Sequence, residues 1–309
     1  MNATKNWLKW SFAVSLIGLL TAQMACQPDP GEALNERKRR ENEEEILAYL
    51  DKTNLRGRAE KNELTGLYII RTKTVQNGQL AVEGDEVKYY FVQSRLDSVV
   101  VDSSETAAGI PNTSTIGAVN RGTITARLYQ SLQLLKEGEE AIVLAPYDPT
   151  DVKSGNLLLP AYTPVRYDVR VVSVRTEEEQ IQDYLVANKL TAAEKTESGL
   201  RFLLTKKSPA DSAQVKAGQT AKVKYTGKLL NGTQFDASAN GTEFSVGTGA
   251  VIQAWDEALV KMRVGEKATI VLPSSIGYGP TGRQSQTAGA VSIPSYAPLA
   301  FELEVVSAK

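Results

Sequence analysis

Histidine is absent from the 309-residue sequence, and cysteine occurs once, at Cys26. Without an imidazole there is no Ser–His–Asp or Cys–His triad, no histidine general base and little to hold zinc. Neither sign of charge predominates: 35 Lys and Arg face 36 Asp and Glu with no long basic stripe. That balance argues against a nucleic-acid partner gripped through its phosphates. Long apolar runs are missing too. The stretch Phe12–Leu20 falls well short of the about 20 residues a membrane-crossing helix needs. What is present, 42% hydrophobic and 23% charged residues, is the mixture of a soluble globular chain. Its length accommodates two domains of about 100–150 residues each. Nothing in the pattern calls for a cofactor or a metal.

The N-terminus reads as a signal peptide, residues 1–25. Lys5 and Lys9 supply a basic start, Phe12–Leu20 an apolar centre, and Thr21-Ala22-Gln23-Met24-Ala25 a small-residue approach to Cys26. A cysteine placed just there resembles the lipobox of bacterial lipoproteins, which implies lipidation of Cys26. Gln23 departs from that pattern, which usually has an aliphatic residue; the alternative is a plain secretory signal with a leftover thiol. A multi-chain anchor contributes about 0.8 kcal/mol per buried methylene. The expectation is an extracytoplasmic protein anchored to a membrane, on the periplasmic side or at an outer membrane. Residues 26–41, with Pro28, Pro30, Gly31 and then mixed charges, read as a tether.

Beyond the tether one plan runs twice. Glu44-Glu45-Ile46-Leu47-Ala48-Tyr49-Leu50 is echoed by Glu179-Gln180-Ile181-Gln182-Asp183-Tyr184-Leu185, and Gly66-Leu67 by Gly199-Leu200. Val87-Lys88-Tyr89 is echoed by Val223-Lys224-Tyr225, and Val101-Asp102 by Phe235-Asp236. Leu159-Pro160-Ala161-Tyr162-Thr163-Pro164 aligns without gaps on Ile293-Pro294-Ser295-Tyr296-Ala297-Pro298. Echoes in one fixed order are the mark of a tandem duplication, with copies at 42–175 and 176–309.

Each copy predicts the same elements. A short acidic helix opens it, with Ile181, Tyr184 and Leu185 on one face. Glu177, Glu178 and Glu179 read as its solvated start, favourable to the helix dipole. Strands alternate, with Val223 and Tyr225 against Lys222 and Lys224, then Ile270 and Leu272, then Leu299, Phe301, Leu303 and Val305. Between them one helix is predicted through Val251, Trp255, Leu259 and Met262, and in the first copy through Ile124, Leu128, Leu132 and Leu135. The fold class is α+β: two tandem domains, each an antiparallel sheet wrapped around one amphipathic helix.

The second copy, with its core at 215–309, resembles the FKBP family of prolyl isomerases. The resemblance rests on Val223-Lys224-Tyr225-Thr226-Gly227, Gly232-Thr233-Gln234-Phe235-Asp236-Ala237-Ser238 and Phe244-Ser245-Val246-Gly247. It continues through Val251-Ile252-Gln253-Ala254-Trp255, Ile276-Gly277-Tyr278-Gly279, Ile293-Pro294 and Leu299-Ala300-Phe301. It implies an isomerase, or rotamase, acting on X–Pro bonds. The twisted imide is less polar than the planar one, so an apolar, poorly hydrated pocket favours it with no nucleophile or proton shuttle. By resemblance Trp255 floors the proline pocket. Tyr225, Phe235, Phe244, Val251, Ile252, Ile293 and Phe301 wall it. Tyr278 and the Ile252 N–H bond substrate carbonyls, and Asp236 orients its neighbours at the edge.

Taken singly, Trp255, Tyr225 and Phe301 would be core residues and Asp236 a turn residue; their joint order makes the site. Gly247-Thr248-Gly249 is too short for a phosphate loop and reads as a turn. Adjacent Asp256 and Glu257 diverge on a helix and make no carboxylate pair. Residues 280–292 form a longer loop than the family usually has, which bears on substrate preference. The first copy keeps Tyr89 and Asp102 but has Val101, Thr125, Leu128 and Tyr167 at site positions, and no Gly-Tyr-Gly. It reads as a degenerate domain serving as spacer or docking surface. The expected clients are proline-containing segments of exported proteins. The alternative is a non-catalytic, chaperone-like module that binds extended polypeptide.

Overall fold

In the computed structural model, residues 33–104, 109–117, 124–148, 158–284 and 292–309 are described. The first copy comprises α1 (Leu34–Lys52), β1 (Glu60–Lys61), β2 (Tyr68–Lys73), β3 (Glu86–Arg95), β4 (Val100–Ser103) and β5 (Asn112–Thr115), then α2 (Ala126–Leu132), β6 (Glu140–Ala145) and β7 (Val165–Arg175). The second comprises α3 (Glu177–Ala187), β8 (Glu194–Lys195), β9 (Arg201–Lys206), β10 (Thr220–Leu229), β11 (Gln234–Ser245), α4 (Gln253–Val260), β12 (Lys267–Leu272) and β13 (Leu299–Ala308).

The two sheets have one topology. The first runs β1-β2-β6-β7-β3-β4, with β5 also on β3, and the second runs β8-β9-β12-β13-β10-β11, all antiparallel. Even unusual backbone recurs. Asn54 and Lys189, just past the opening helices, have φ of 56° and 58°, and Tyr162 and Tyr296 have 63° and 56°. Left-handed conformations at non-glycine residues are uncommon, so finding them at matching places supports duplication independently of side-chain likeness.

Period-2 alternation divides each sheet between two helices. In the second copy Ile270 and Leu272 join the large core that includes Ala254, Trp255, Ala258 and Leu259 of α4. Val271 and Ala300 face the other way, onto Ile181 and Leu185 of α3. The first copy repeats this: Ile69 and Val143 pack with Leu128 and Leu132 of α2, while Tyr68, Ile70 and Leu144 pack with Ile46 and Leu50 of α1. The expected α+β class holds, with each sheet covered on both faces. The core helices are shorter than predicted. Val251 and Met262 flank α4, and Ile124 and Leu135 flank α2, yet Met262 and Leu135 are buried in their cores.

Helix α1 starts at Leu34, so residues 34–41 of the expected tether are helical. The stretch is rich in Glu, Arg and Lys, which favour helix. Lys38 Nζ lies 2.6 Å from a Glu41 oxygen and Arg37 Nε 3.7 Å from the other, i,i+3 and i,i+4 pairs that favour it further. Buried Asn42 then pins the helix, donating to the Tyr162 carbonyl at 2.9 Å and accepting from the Tyr147 N–H at 2.7 Å. Cys26, the expected signal peptide and the tether up to residue 32 lie outside the described residues.

The acidic start of α3 is more than a solvated end. Thr176 and Glu179 form a reciprocal capping box. Glu177 accepts from the Ser274 N–H at 2.7 Å and its hydroxyl at 2.6 Å, and Glu178 accepts from Arg201 at 2.5 Å. Glu179 thus closes the helix end, while Glu178 and Glu177 bolt α3 to the sheet and to the turn before Tyr278.

Candidate active site

Strand alternation sends Tyr225 and Phe301 from neighbouring strands β10 and β13 toward α4. That helix presents Trp255, 4% exposed, from its first turn. Around the indole the rings pack edge to face. Tyr225 is 5.0 Å away at 82°, Phe244 5.1 Å at 73°, and Phe301 5.5 Å at 86°. Such contacts place positive ring edges on negative faces and fix orientation as well as burying area. Phe235 stands behind, 5.5 Å from Phe301 at 86°.

Gly227 makes that arrangement possible. A Cβ there would lie 2.7 Å from Phe301 and 2.8 Å from Phe235, so only a residue without one lets both rings close over the strand.

Over the indole opens a cavity of about 390 Å³, lined by Tyr225, Asp236, Phe244, Gly249, Ala250, Val251, Ile252, Trp255, Tyr278, Arg283 and Phe301. Of the sequence-predicted site residues, Tyr225, Asp236, Phe244, Val251, Ile252, Trp255, Tyr278 and Phe301 meet there. Two do not line it. Phe235 supports Phe301 from behind. Ile293 is 2% exposed within the core, its backbone bonded to Arg283.

Polar groups at the cavity are few. Burial first, then the neighbouring Asp236 carboxylate, push the Tyr225 pKa up to about 12. It is therefore a neutral donor at ordinary pH. Ile252 is the N-cap of α4, and its N–H has no partner among the described residues, leaving a donor directed outside the helix ladder. The Trp255 Nε1 is likewise buried without a partner among them. Asp256 holds the turn before the helix, accepting from the Gly247 and Gly249 N–H groups at 2.6 and 2.9 Å. Glu257 accepts from Ser198 at 2.6 Å. Neither acid serves as a reacting group, and Gly247–Gly249 is the turn its spacing suggested.

Sequence reasoning missed three lining residues, Gly249, Ala250 and Arg283, of which Arg283 alone brings a charged side chain. It belongs to the longer loop at 280–292, of which residues 285–291 lie outside the described residues. Its Nη1 donates to the Tyr278 hydroxyl at 3.3 Å and lies 3.9 Å from an Asp236 oxygen. No local pattern marked it.

The first copy lacks this constellation, and the strand register corrects the alignment of its remains. Tyr89 pairs with Val171 and Phe91 with Val169, whereas Val223 pairs with Val305 and Tyr225 with Leu303. Since Val171 matches Val305 and Val169 matches Leu303, Phe91 occupies the Tyr225 position, and Tyr89, fully buried, occupies that of Val223. The Val-Lys-Tyr strings are alike in letters and two residues apart in place. Gln93 then stands where the second copy has Gly227, 2% exposed, and Val101 stands where it has Phe235. The glutamine takes space the phenylalanine ring would need. Leu128 replaces the indole, at the same third residue of the helix.

Residues 211–306 match the model of a family described as FKBP-type peptidyl-prolyl cis-trans isomerase. The FK506-binding protein 2 of Dictyostelium discoideum is 40% identical over 98 residues, which are 31% of this chain and 69% of that protein. The peptidyl-prolyl cis-trans isomerase FKBP2 of Bos taurus is 38% identical over 122 residues, 38% of this chain and 83% of that one. Among solved structures, the three FKBP domains of wheat FKBP73 align with 79% of this chain and 95% of their own, at 22% identity and a TM-score of 0.34.

Proposed function

This chain belongs to the FKBP-type peptidyl-prolyl cis–trans isomerase family, and from that premise we propose that its second copy turns X–Pro bonds of exported polypeptides in the cavity over Trp255. The observation that carries this reading is the convergence of Tyr225, Phe244, Trp255 and Phe301 on one open, mostly apolar hollow with Tyr278 at its rim.

An X–Pro imide turns in tens to hundreds of seconds unaided, because rotation breaks amide resonance across a barrier of about 18–20 kcal/mol. The planar imide carries charge separation that water stabilises, and the twisted one carries less. A proline ring seated on the indole, shielded by Tyr225 and Phe301, loses that water, which raises the planar state relative to the twisted state. The Ile252 N–H and the Tyr278 hydroxyl bond the flanking carbonyls and hold the chain while the imide rotates. Asp236 fixes the Tyr225 phenol, so the wall keeps its shape. No atom is transferred, and a chain without histidine can do this.

The anchored, extracytoplasmic setting is part of the proposal. It rests on the basic start, apolar centre and single cysteine of the N-terminal sequence. Cys26 would carry the lipid, and the first copy would hold the isomerase away from the membrane while docking extended segments of the same clients. Cys26→Ser should release the protein into the soluble fraction, and an unchanged membrane fraction would remove the anchor. The function itself is tested by cis–trans conversion of an X–Pro peptide. Acceleration over buffer is expected, and its absence would leave only the binding role.

A further inference from the structure

Apart from the two phenols, the ionisable groups lining the cavity are Asp236 and Arg283. They are not equivalent. Asp236 neighbours the Tyr225 phenol, and its ion pair with the Arg283 guanidinium, at 3.9 Å, is too long for a hydrogen bond. Arg283 has five N–H donors. Among the described residues its side chain makes one hydrogen bond, to the Tyr278 oxygen at 3.3 Å, and remains 53% exposed.

The cation is nevertheless held in place. The Arg283 N–H donates to the Ile293 carbonyl at 2.9 Å, and the Ile293 N–H returns a bond to the Arg283 carbonyl at 2.8 Å. Ile293 is anchored in the core. Gly282 precedes it with φ of +60°, and a Cβ there would lie 2.3 Å from the Ile293 carbonyl oxygen. Only glycine passes so close, and that passage turns the chain so that the next side chain reaches the cavity. A backbone fixed this firmly beneath a half-exposed guanidinium with unused donors is an arrangement suited to receiving a ligand's anion. Arg pairs with carboxylates through two parallel hydrogen bonds, stronger than neutral ones and geometrically selective.

We propose that Arg283 is a specificity-determining residue of the isomerase, favouring clients with an acidic side chain next to the proline. The proposal rests on the isomerase reading of the same cavity. Once a proline occupies the hollow, a flanking Asp or Glu reaches the guanidinium at the rim, whereas a flanking Lys or Arg meets a like charge. Because Arg283 also donates to the Tyr278 oxygen, it leaves that phenol's own proton for the substrate carbonyl. Its removal therefore lowers turnover of every substrate somewhat and of acidic ones most.

The test measures kcat/KM of the whole chain on peptides with Glu, Leu or Lys on either side of the proline. Wild type is compared with Arg283→Ala, Arg283→Lys and Arg283→Glu. The readout is the Glu-to-Lys ratio, which a general loss of packing leaves unchanged. We expect a wild-type ratio of about 10 on at least one side of the proline, shrinking as salt screens the contact. It should fall toward 1 in Arg283→Ala, be largely kept in Arg283→Lys and invert in Arg283→Glu. Ratios equal across all four proteins, with the Leu peptide still turned over, overturn the proposal while leaving the isomerase intact. No acceleration of any peptide by wild type overturns the isomerase reading and this proposal with it.

Discussion

The Thr125 and Tyr167 hydroxyls lie 2.8 Å apart inside the first copy, at the two positions where the second copy has Ile252 and Phe301. The pair is buried, and the Thr125 oxygen also accepts from the Leu128 N–H at 3.2 Å. A tyrosine and a threonine that satisfy each other close the region over the helix, which in the second copy is an apolar hollow. Tyr167→Phe should therefore destabilise the first domain by about 1 kcal/mol and leave prolyl turnover by the whole chain unchanged. Denaturant unfolding and a peptide assay on the same variant check both halves; a fall in turnover would give the first copy a share in catalysis.

Gly227→Ala should act on the site from behind. Its Cβ would press on Phe235 and Phe301 together at under 3 Å, and neither ring can leave without opening the wall. An overpacking loss of about 1–3 kcal/mol is expected, with at least about a tenfold drop in kcat/KM. Wild-type turnover in this variant would mean that the Phe235–Phe301 contact has no bearing on the pocket.

Arg201 is 2% exposed, donates to the Gly199 carbonyl at 2.6 Å and meets Glu178 at 2.5 Å. Glu178→Ala strands a buried guanidinium. With Glu178 itself half-exposed, a loss of about 1–3 kcal/mol is expected. A hydrogen bond from Gln182 and then the Arg201 contact hold the Glu178 carboxyl below its usual range. A lowered pKa gives stability that is present above the unfolded value and lost as pH falls through the folded one. The variant should thus approach wild type as pH drops below about 4. Denaturation midpoints of the two proteins against pH would show this; a constant gap would contradict it.

Tyr225 supplies the opposite sign. Its pKa is raised to about 12 by burial and by Asp236, so its contribution is complete below the unfolded value near 10 and is lost as pH climbs toward 12. Tyr225→Phe should narrow the alkaline loss of stability of the second domain. Turnover by wild type should be flat between about pH 6 and 9, since no imidazole is present to titrate there. A bell-shaped profile in that range would point to proton-transfer chemistry that the cavity does not provide.

Much of this was legible in the residues because two strong patterns agreed. The duplication showed in the gapless match of Leu159–Pro164 on Ile293–Pro298, and the backbone repeats it at Tyr162 and Tyr296. The ring set was legible because each aromatic lies in a motif of its own. Four things were hidden. The match of Tyr89 to Tyr225 failed because the two copies share one bulge, between Lys88 and Tyr89 and between Lys222 and Val223. It sets Tyr89 level with Val223, so the recurring Val-Lys-Tyr letters are out of step with the strand register. Ile293 was read as a pocket wall, although its neighbour Pro294 and the return of the loop to Arg283 place it in the core. Arg283 itself was invisible, since its place depends on a bridge across a loop of irregular length. Residues 34–41 were read as tether from their charges, which are equally those of a helix that pairs i with i+4.

The central claim is that an indole floor with a phenol at its rim lowers the barrier to turning an X–Pro bond. Its most direct test is kcat/KM for one Leu–Pro peptide, measured on the whole chain and on Trp255→Leu and Tyr278→Phe, the first of which installs the side chain that Leu128 provides in the first copy. A fall of at least about tenfold in Trp255→Leu and a smaller fall in Tyr278→Phe, both with the second domain still folded by circular dichroism, is the expected result. Wild-type turnover in both folded variants would contradict the account.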